Sequence, residues 1–219
     1  RRALIDKTRA QDKVEPGKPP VVPPSAFGRD RTKERGGTSQ VSVVDGAGDA
    51  FSLTTSIEHA FGARTMVRGF LLNNQLTDFS FLPKDALGRP IANRVQPGKR
   101  PRRSMDPTMV FGKDGALEFV LGSPGGPGII LFNLKTLFAL IDWQMNAADA
   151  AALFNFGSTQ DVVLMEPDAK WGALADELEA LGHKVRRFPL TSGEHIIAVT
   201  EDGLEGGADP RREGVALGD

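Results

Sequence analysis

From residue 38 onward the chain alternates between apolar and polar positions in short bursts. Gln40 to Val44 and Ala50 to Ser56 are β-rich runs separated by "DGAGD", a pattern that predicts a hairpin. "GFLLNNQLTDFSF" (69–81) begins as a buried strand and ends in polar loop residues. "ALEFVLGSPGGPGIILFNLKTLFALI" (116–141) reads as a strand, a glycine-rich turn and an apolar helix, with the turn at the helix N-terminus. Helices are predicted near 147–155 and 170–181, and strands near 161–166, 184–189 and 194–200. No internal repeat is found. Strands come first, then helices, then strands with one helix between them. That order implies a layered α+β fold with a mostly antiparallel sheet.

Residues 1–37 have a different character. They hold ten Lys or Arg, five Asp or Glu and five prolines, a balance of +5, whereas the remainder carries -6. Apart from a short helical start at Ala3 to Ala10, "VEPGKPPVVPPSAFGRDRTKERGG" has the breakers and charges of an extended linker, mobile or peripheral to the packed part. The chain starts with Arg1 and reads as a piece of something longer, with any signal peptide upstream.

The composition removes several function classes. With 40% hydrophobic and 25% charged residues over 219 positions, the chain can bury one sizeable core. It has no apolar run of about eighteen residues to span a membrane. A net charge of -1 gives no whole-chain case for binding nucleic acid. Zero cysteines exclude disulfides, thiolate metal sites and cysteine nucleophiles. His59, His183 and His195 stand beside no serine motif, G-x-S-x-G and H-E-x-x-H do not occur, and the three histidines read as ordinary surface or strand residues. Neither a metal nor another cofactor is expected.

What remains is Thr38, placed at the head of a strand after the flexible pair Gly36-Gly37. If the Gly37–Thr38 peptide is cut, Thr38 gains an α-amine with an unperturbed pKa of about 7.7 to 8.0, close enough to neutrality to act as base for its own hydroxyl. The threonine hydroxyl can make that cut by attacking the Gly37 carbonyl. From spacing alone, "GGT" reads as a loop entering a strand, and other stretches are needed to favour the nucleophile.

Four further stretches bear on this choice: "TSQVSVVDGAGDAFSLTTSIEHAFG", "GFLLNNQLTDFS", "GKRPRRSMDPTMVF" and "LGSPGG". In this order and spacing the chain resembles the small, catalytic subunit of the γ-glutamyltranspeptidases, N-terminal nucleophile hydrolases made as one self-cleaving precursor. A looser likeness runs through "DWQMNAADAAALF" and "LEALGHKV" to "GADPRREGVA". The resemblance implies that 38–219 form the small catalytic subunit, and that 1–37 are the end of the large subunit and the processing linker. It also implies a four-layer αββα fold.

Position by position, Thr38 falls where the family has its nucleophile. Ser56 falls where a second threonine usually supports that nucleophile, and the hydroxyl is kept. Gln75 and Asp78 match positions that grip the donor's α-ammonium, for which a carboxylate is the natural complement. Ser104 matches one of two successive serines that hold the donor α-carboxylate, but Arg103 replaces the other. Glu58 stands where an asparagine commonly helps bind the glutamyl end. Gly125 and Gly126 match the backbone amides of the oxyanion hole, a role that side-chain-free residues ahead of a helix N-terminus can fill. Read without the family, Lys99 to Arg103 would be a solvated charge cluster, and the glycines a tight strand-to-helix turn.

The resemblance implies γ-glutamyl transfer from glutathione or another γ-glutamyl compound to water, an amino acid or a dipeptide, through an ester on Thr38. The expected partner is the large subunit of the same precursor, which in the family carries another carboxylate-binding arginine. A periplasmic or secreted location is favoured by the resemblance alone. Two alternatives are kept: an acylase of the same family acting on glutaryl-cephalosporins, motivated by Arg103 and Glu58, and a non-catalytic, unprocessed binding or structural protein.

Overall fold

The computed structural model describes residues 5–11, 26–32, 37–159 and 162–218. Its first elements are strands β1 (Thr38–Val44) and β2 (Ala50–Ser56), antiparallel and in register from Thr38↔Ser56 to Val44↔Ala50. The predicted turn closes them: Asp45 Oδ1 accepts the amides of Ala47 and Asp49, each at 2.9 Å. Two-residue strands β3 (Met66–Val67) and β4 (Phe70–Leu71) follow. The buried strand expected from Gly69 is therefore only a stub, and Phe70 is exposed. Asn73 and Asn74 end it, because their side chains bond nearby backbone amides and favour a turn over a ladder.

Next come β5 (Thr108–Phe111), β6 (Leu117–Gly122), α1 (Ile129–Leu137) with a wider turn over Phe138–Asp142, and α2 (Ala147–Ala152). The chain then runs through β7 (Phe156–Thr159), β8 (Val162–Met165), α3 (Gly172–Ala180), β9 (Lys184–Arg187), β10 (His195–Thr200) and β11 (Gly203–Ala208). The sequence pattern missed β3, β5, β7 and β11, of which β11 is glycine-rich and lacks a strand signature. All pairings are antiparallel except that of β8 with β9.

The central sheet has the order β11-β10-β6-β5. Helices α1 and α2 cover one face, where Leu121, Ala139, Leu140, Ala147, Ala150, Ala151, Ile196 and Ala198 form the core. The alanine-rich α2, capped by the Asn146 side chain on the Asp149 amide at 2.7 Å, lets its backbone approach β10 and β11 closely. The β1–β2 hairpin packs on the other face, against β6 and β10. That interface is polar. Ser42 Oγ donates to the His195 carbonyl and Ser52 Oγ to the Leu121 carbonyl, both at 3.1 Å. Thr54 Oγ1 donates to Gln40 Oε1 at 2.6 Å, and Gln40 Nε2 donates to Ser52 Oγ at 3.0 Å. Val41, Val43, Phe51 and Leu53 point the other way and are 40 to 53% exposed. The described residues thus provide a helix layer and two sheet layers, and the fourth layer of the expected architecture would lie over that apolar face.

The arm differs from a free linker. Residues 5–11 form no helix, and the Ala10 amide donates to the Leu181 carbonyl at 2.6 Å. Residues 26–32 run against the 80–102 loops: the Gly28 amide donates to the Pro90 carbonyl at 2.9 Å, and Asp30 pairs with Arg102 at 3.2 Å. Burial works against the Asp30 charge, but hydrogen bonds from Thr32 and Asn93 and the Arg102 charge outweigh it, so this carboxyl titrates below the ordinary range. The rest of the predicted linker lies outside the described residues.

Behind the central sheet the fold buries an ionic cluster. Lys135 of α1 and Glu194, just before β10, are almost fully inaccessible. Arg211 clamps Glu166 through Nε at 2.6 Å and Asp209 through Nη1 at 3.0 Å. Burial, opposed by the Glu194 charge, pulls Lys135 down to about 8. Burial, opposed by the Lys135 charge, pushes Glu194 up to about 7. A carboxyl raised in the folded state stabilises fully below its unfolded value near 4.5, and that stabilisation is lost as pH rises through 7. The cost of burying the Lys135 charge is relieved only above about 8, so the two windows do not overlap. Denaturant unfolding between pH 4.5 and 7 should show a contribution that lowers stability as pH rises, and Glu194→Gln should flatten that slope.

Candidate active site

Three local structures carry the residues that the sequence singles out. In the first, Thr38 opens β1 directly opposite Ser56, the last residue of β2. The Ser56 hydroxyl donates to the Gly37 carbonyl at 2.8 Å and accepts the Glu58 amide at 2.8 Å. The chain after β2 therefore folds back over the residue before β1. This demands glycine at position 37, because a Cβ there would stand 2.3 Å from the Glu58 carbonyl oxygen. Thr38 is nearly buried, on the same hairpin face as Gln40, whose amide covers Gly122 at the end of β6.

The second structure is a short helical turn, Gln75–Asp78, introduced by Asn74. Asn74 ties it to the hairpin exit: its side-chain amide donates to Glu58 Oε2, its carbonyl accepts the His59 amide at 3.0 Å, and its own amide donates to the Ile57 carbonyl at 3.3 Å. Glu58 is buried and has φ +70°, a left-handed conformation unfavourable for a long side chain. Asp78 is buried and forms an ion pair with Arg103. Ser104 is buried beside it in sequence. Asn93 holds the two segments together, donating to the Asp78 carbonyl at 2.7 Å and accepting the Arg102 amide at 2.8 Å. The Gln75 side-chain nitrogen Nε2 is buried and has no hydrogen-bond partner among the described residues.

The third is the turn from β6 into α1. Gly125 has φ +140° and Gly126 φ +56°, both in the glycine-favouring region. A Cβ on Gly125 would come within 2.5 Å of the Phe132 ring. Ser123 Oγ braces the turn, donating to the Pro124 carbonyl at 2.7 Å and accepting the Gly193 amide at 3.0 Å. The turn lies at the N-terminal end of α1, where backbone N–H groups lack helical partners and favour negative charge.

Hydrogen bonds or an ion pair thus link Gly37, Ser56 and Glu58, then Glu58 and the Gln75–Asp78 turn, then Asp78 and Arg103. Gly125 and Gly126 lie apart from this chain of contacts, in the turn that follows β6, the strand on which the hairpin packs. Sequence reasoning missed Asn74, which it read as part of a turn, and Asn93, which lies in a polar loop with no spacing signal. Among the described residues no group of three or more His, Cys, Asp or Glu is arranged to hold a metal, and no helix is long and apolar enough to cross a membrane.

A threonine at the head of a hairpin sheet, stacked on a second antiparallel sheet with a glycine turn and helices behind it, is the arrangement of the N-terminal nucleophile hydrolases. Within that class the chain belongs to the family described as Gamma-glutamyltranspeptidase, whose model matches residues 1–219. It is 36% identical over 216 residues to a glutathione hydrolase proenzyme of Escherichia coli (strain K12), covering 94% of this chain and 35% of that protein. It is 35% identical over 188 residues to the acylase ACY 1 proenzyme of Pseudomonas sp. (strain SE83), covering 84% and 32%. A solved γ-glutamyltranspeptidase from Pseudomonas nitroreducens superimposes with a TM-score of 0.70 at 32% identity, covering 82% of this chain and 98% of that one. The chain spans about a third of the length of the curated relatives it matches.

Gly125→Ala should lower stability by about 1 to 3 kcal/mol in urea titration, since the new methyl group meets both an unfavourable φ and the Phe132 ring. An unchanged midpoint would show that the turn is not held as described.

Proposed function

We propose that the chain is the small catalytic subunit, residues 38–219, of a γ-glutamyltransferase and glutathione hydrolase, joined to the end of its large subunit, residues 1–37. The observation that carries this reading is the Ser56 hydroxyl on the Gly37 carbonyl, 2.8 Å away, at the peptide bond preceding Thr38. In that position it polarises the carbonyl that Thr38 Oγ attacks, and it donates to the oxygen as negative charge develops. The Gly37–Thr38 C–N bond breaks, the hydroxyl proton passes to the departing nitrogen, and an ester joins the Gly37 carbonyl to Thr38 Oγ. Water hydrolyses the ester, leaving a Gly37 carboxylate and a Thr38 with both free amine and free hydroxyl.

Processed Thr38 then attacks the γ-amide of glutathione or another γ-glutamyl compound, with its own amine as base and Ser56 steadying the hydroxyl. The Gly125 and Gly126 amides stabilise the tetrahedral oxyanion, and the amine leaves. Water, an amino acid or a dipeptide resolves the γ-glutamyl ester in the second half of a ping-pong cycle. Gln75, Asp78, Arg103, Ser104 and Glu58 hold the charged end of the donor. The large subunit is the partner. Its need is supported by the exposed apolar face of the hairpin and by the exposed side of α1 and the wider turn after it, at Ile130, Leu134, Phe138 and Ile141.

A second reading, an acylase for glutaryl amides, draws on the Arg103–Asp78 ion pair, which already occupies a carboxylate that a donor ammonium would use.

In the full-length precursor, intact-mass analysis should show wild type cut between Gly37 and Thr38 and Thr38→Ala uncut, with no acyl adduct. Ser56→Ala should slow the cut by about a hundredfold, and Ser56→Thr should restore it. A Thr38→Ala protein that is cut at the wild-type rate would overturn the assignment.

A further inference from the structure

Two departures from the family pattern that change charge, Glu58 and Arg103, meet the same short turn. Arg103 pairs with Asp78 at its end, and Glu58 accepts from Asn74 at its start. The Asp78 side chain is only 4% exposed, and that of Arg103 26%. A donor ammonium seeking Asp78 would therefore have to displace a guanidinium already bound in a water-poor place, where such pairs resist separation. A site recognising an ammonium needs another anion within the same corner.

Glu58 is that anion. Its residue is 5% exposed, and it stands at φ +70°, where asparagine is tolerated far better than a long side chain. Placing a carboxylate on strained backbone in a buried corner is doubly unfavourable, and the Asn74 side-chain amide that bonds it is a neutral donor that does not call for a charge. Together Glu58 and Asp78 bring two negative charges and Arg103 one positive charge. The corner therefore keeps a single net negative charge, the value that Asp78 alone would give beside a neutral asparagine and serine. It also gains a cation next to Ser104 for a donor carboxylate.

We propose that Glu58 and Arg103 are a compensating pair of specificity-determining residues: Arg103 neutralises Asp78, and Glu58 takes over the ammonium of an α-amino acyl donor. This rests on the γ-glutamyl reading above. It excludes a preference for glutaryl donors, which carry the carboxylate but no ammonium.

The test uses the processed two-subunit protein with γ-glutamyl and glutaryl p-nitroanilides. Glu58→Gln should raise KM for the γ-glutamyl substrate by about tenfold or more, with kcat within about threefold and KM for the glutaryl substrate not raised. The double variant Glu58→Asn/Arg103→Ser, which restores an uncharged pair around Asp78, should return the γ-glutamyl KM to within about threefold of wild type. Thermal unfolding checks that each variant is folded. If Glu58→Gln fails to fold, Arg103→Ser and the double variant carry the comparison, since compensation requires the second change to undo the first. An unchanged KM ratio in Glu58→Gln, or a double variant no better than the worse single one, overturns the pairing. A processed wild type that cleaves neither anilide, or only the glutaryl one, overturns the γ-glutamyl reading itself and the pairing with it.

Discussion

The Ser56 hydroxyl, held between the Gly37 carbonyl and the Glu58 amide, is the interaction on which the rest of the site depends. It exists because the hairpin register pairs Thr38 with Ser56, and because the chain leaving β2 turns back tightly enough for the Glu58 carbonyl to press on Gly37. A shift of one residue would turn Thr38 and Ser56 to the opposite face. The contact at Gly37 opposes such a shift, since the backbone of that segment has no room for a different residue. One hydroxyl thus sets the carbonyl ahead of Thr38, the exit of the hairpin and the approach of the turn carrying Gln75 and Asp78.

The hairpin is also unusual in which face it buries. Gln40, Ser42, Ser52 and Thr54 face β6 and β10, while Val41, Val43, Phe51 and Leu53 face outward. A polar interface between two sheets must be satisfied bond by bond, and here the hydroxyls reach main-chain carbonyls of the sheet below. This aligns the hairpin more specifically than apolar packing alone. It also leaves an apolar surface that water covers poorly, consistent with a partner on that side.

Much of this was legible in the chain. The hairpin with its aspartate-glycine turn, the strand–turn–helix around Gly125 and strands β8, β9 and β10 follow from period and breakers, and the structure has them. The stub at Phe70 and the anchored arm were not legible. Each is decided by hydrogen bonds to residues distant in sequence or by side-chain competition with the ladder, as with Asn73 and Asn74. Of the site residues, Thr38, Ser56, Asp78 and the two glycines were marked by type and motif. Asn74 and Asn93 were not, because a bridging asparagine has no periodicity and gains its meaning only from what stands on either side.

The sequence by itself determined the family, the threonine before which the chain changes character, and the alternation of the hairpin. Alternation fixes that two faces differ, without saying which one is buried, and a motif fixes residue types without their partners. Tertiary structure alone decided that the polar face turns inward, that Ser56 reaches the Gly37 carbonyl, and that Arg103 pairs with Asp78 while Glu58 is held by Asn74. The physical reason is the same in each case. These are short-range contacts between segments far apart in the chain, and only folding brings them within bonding distance.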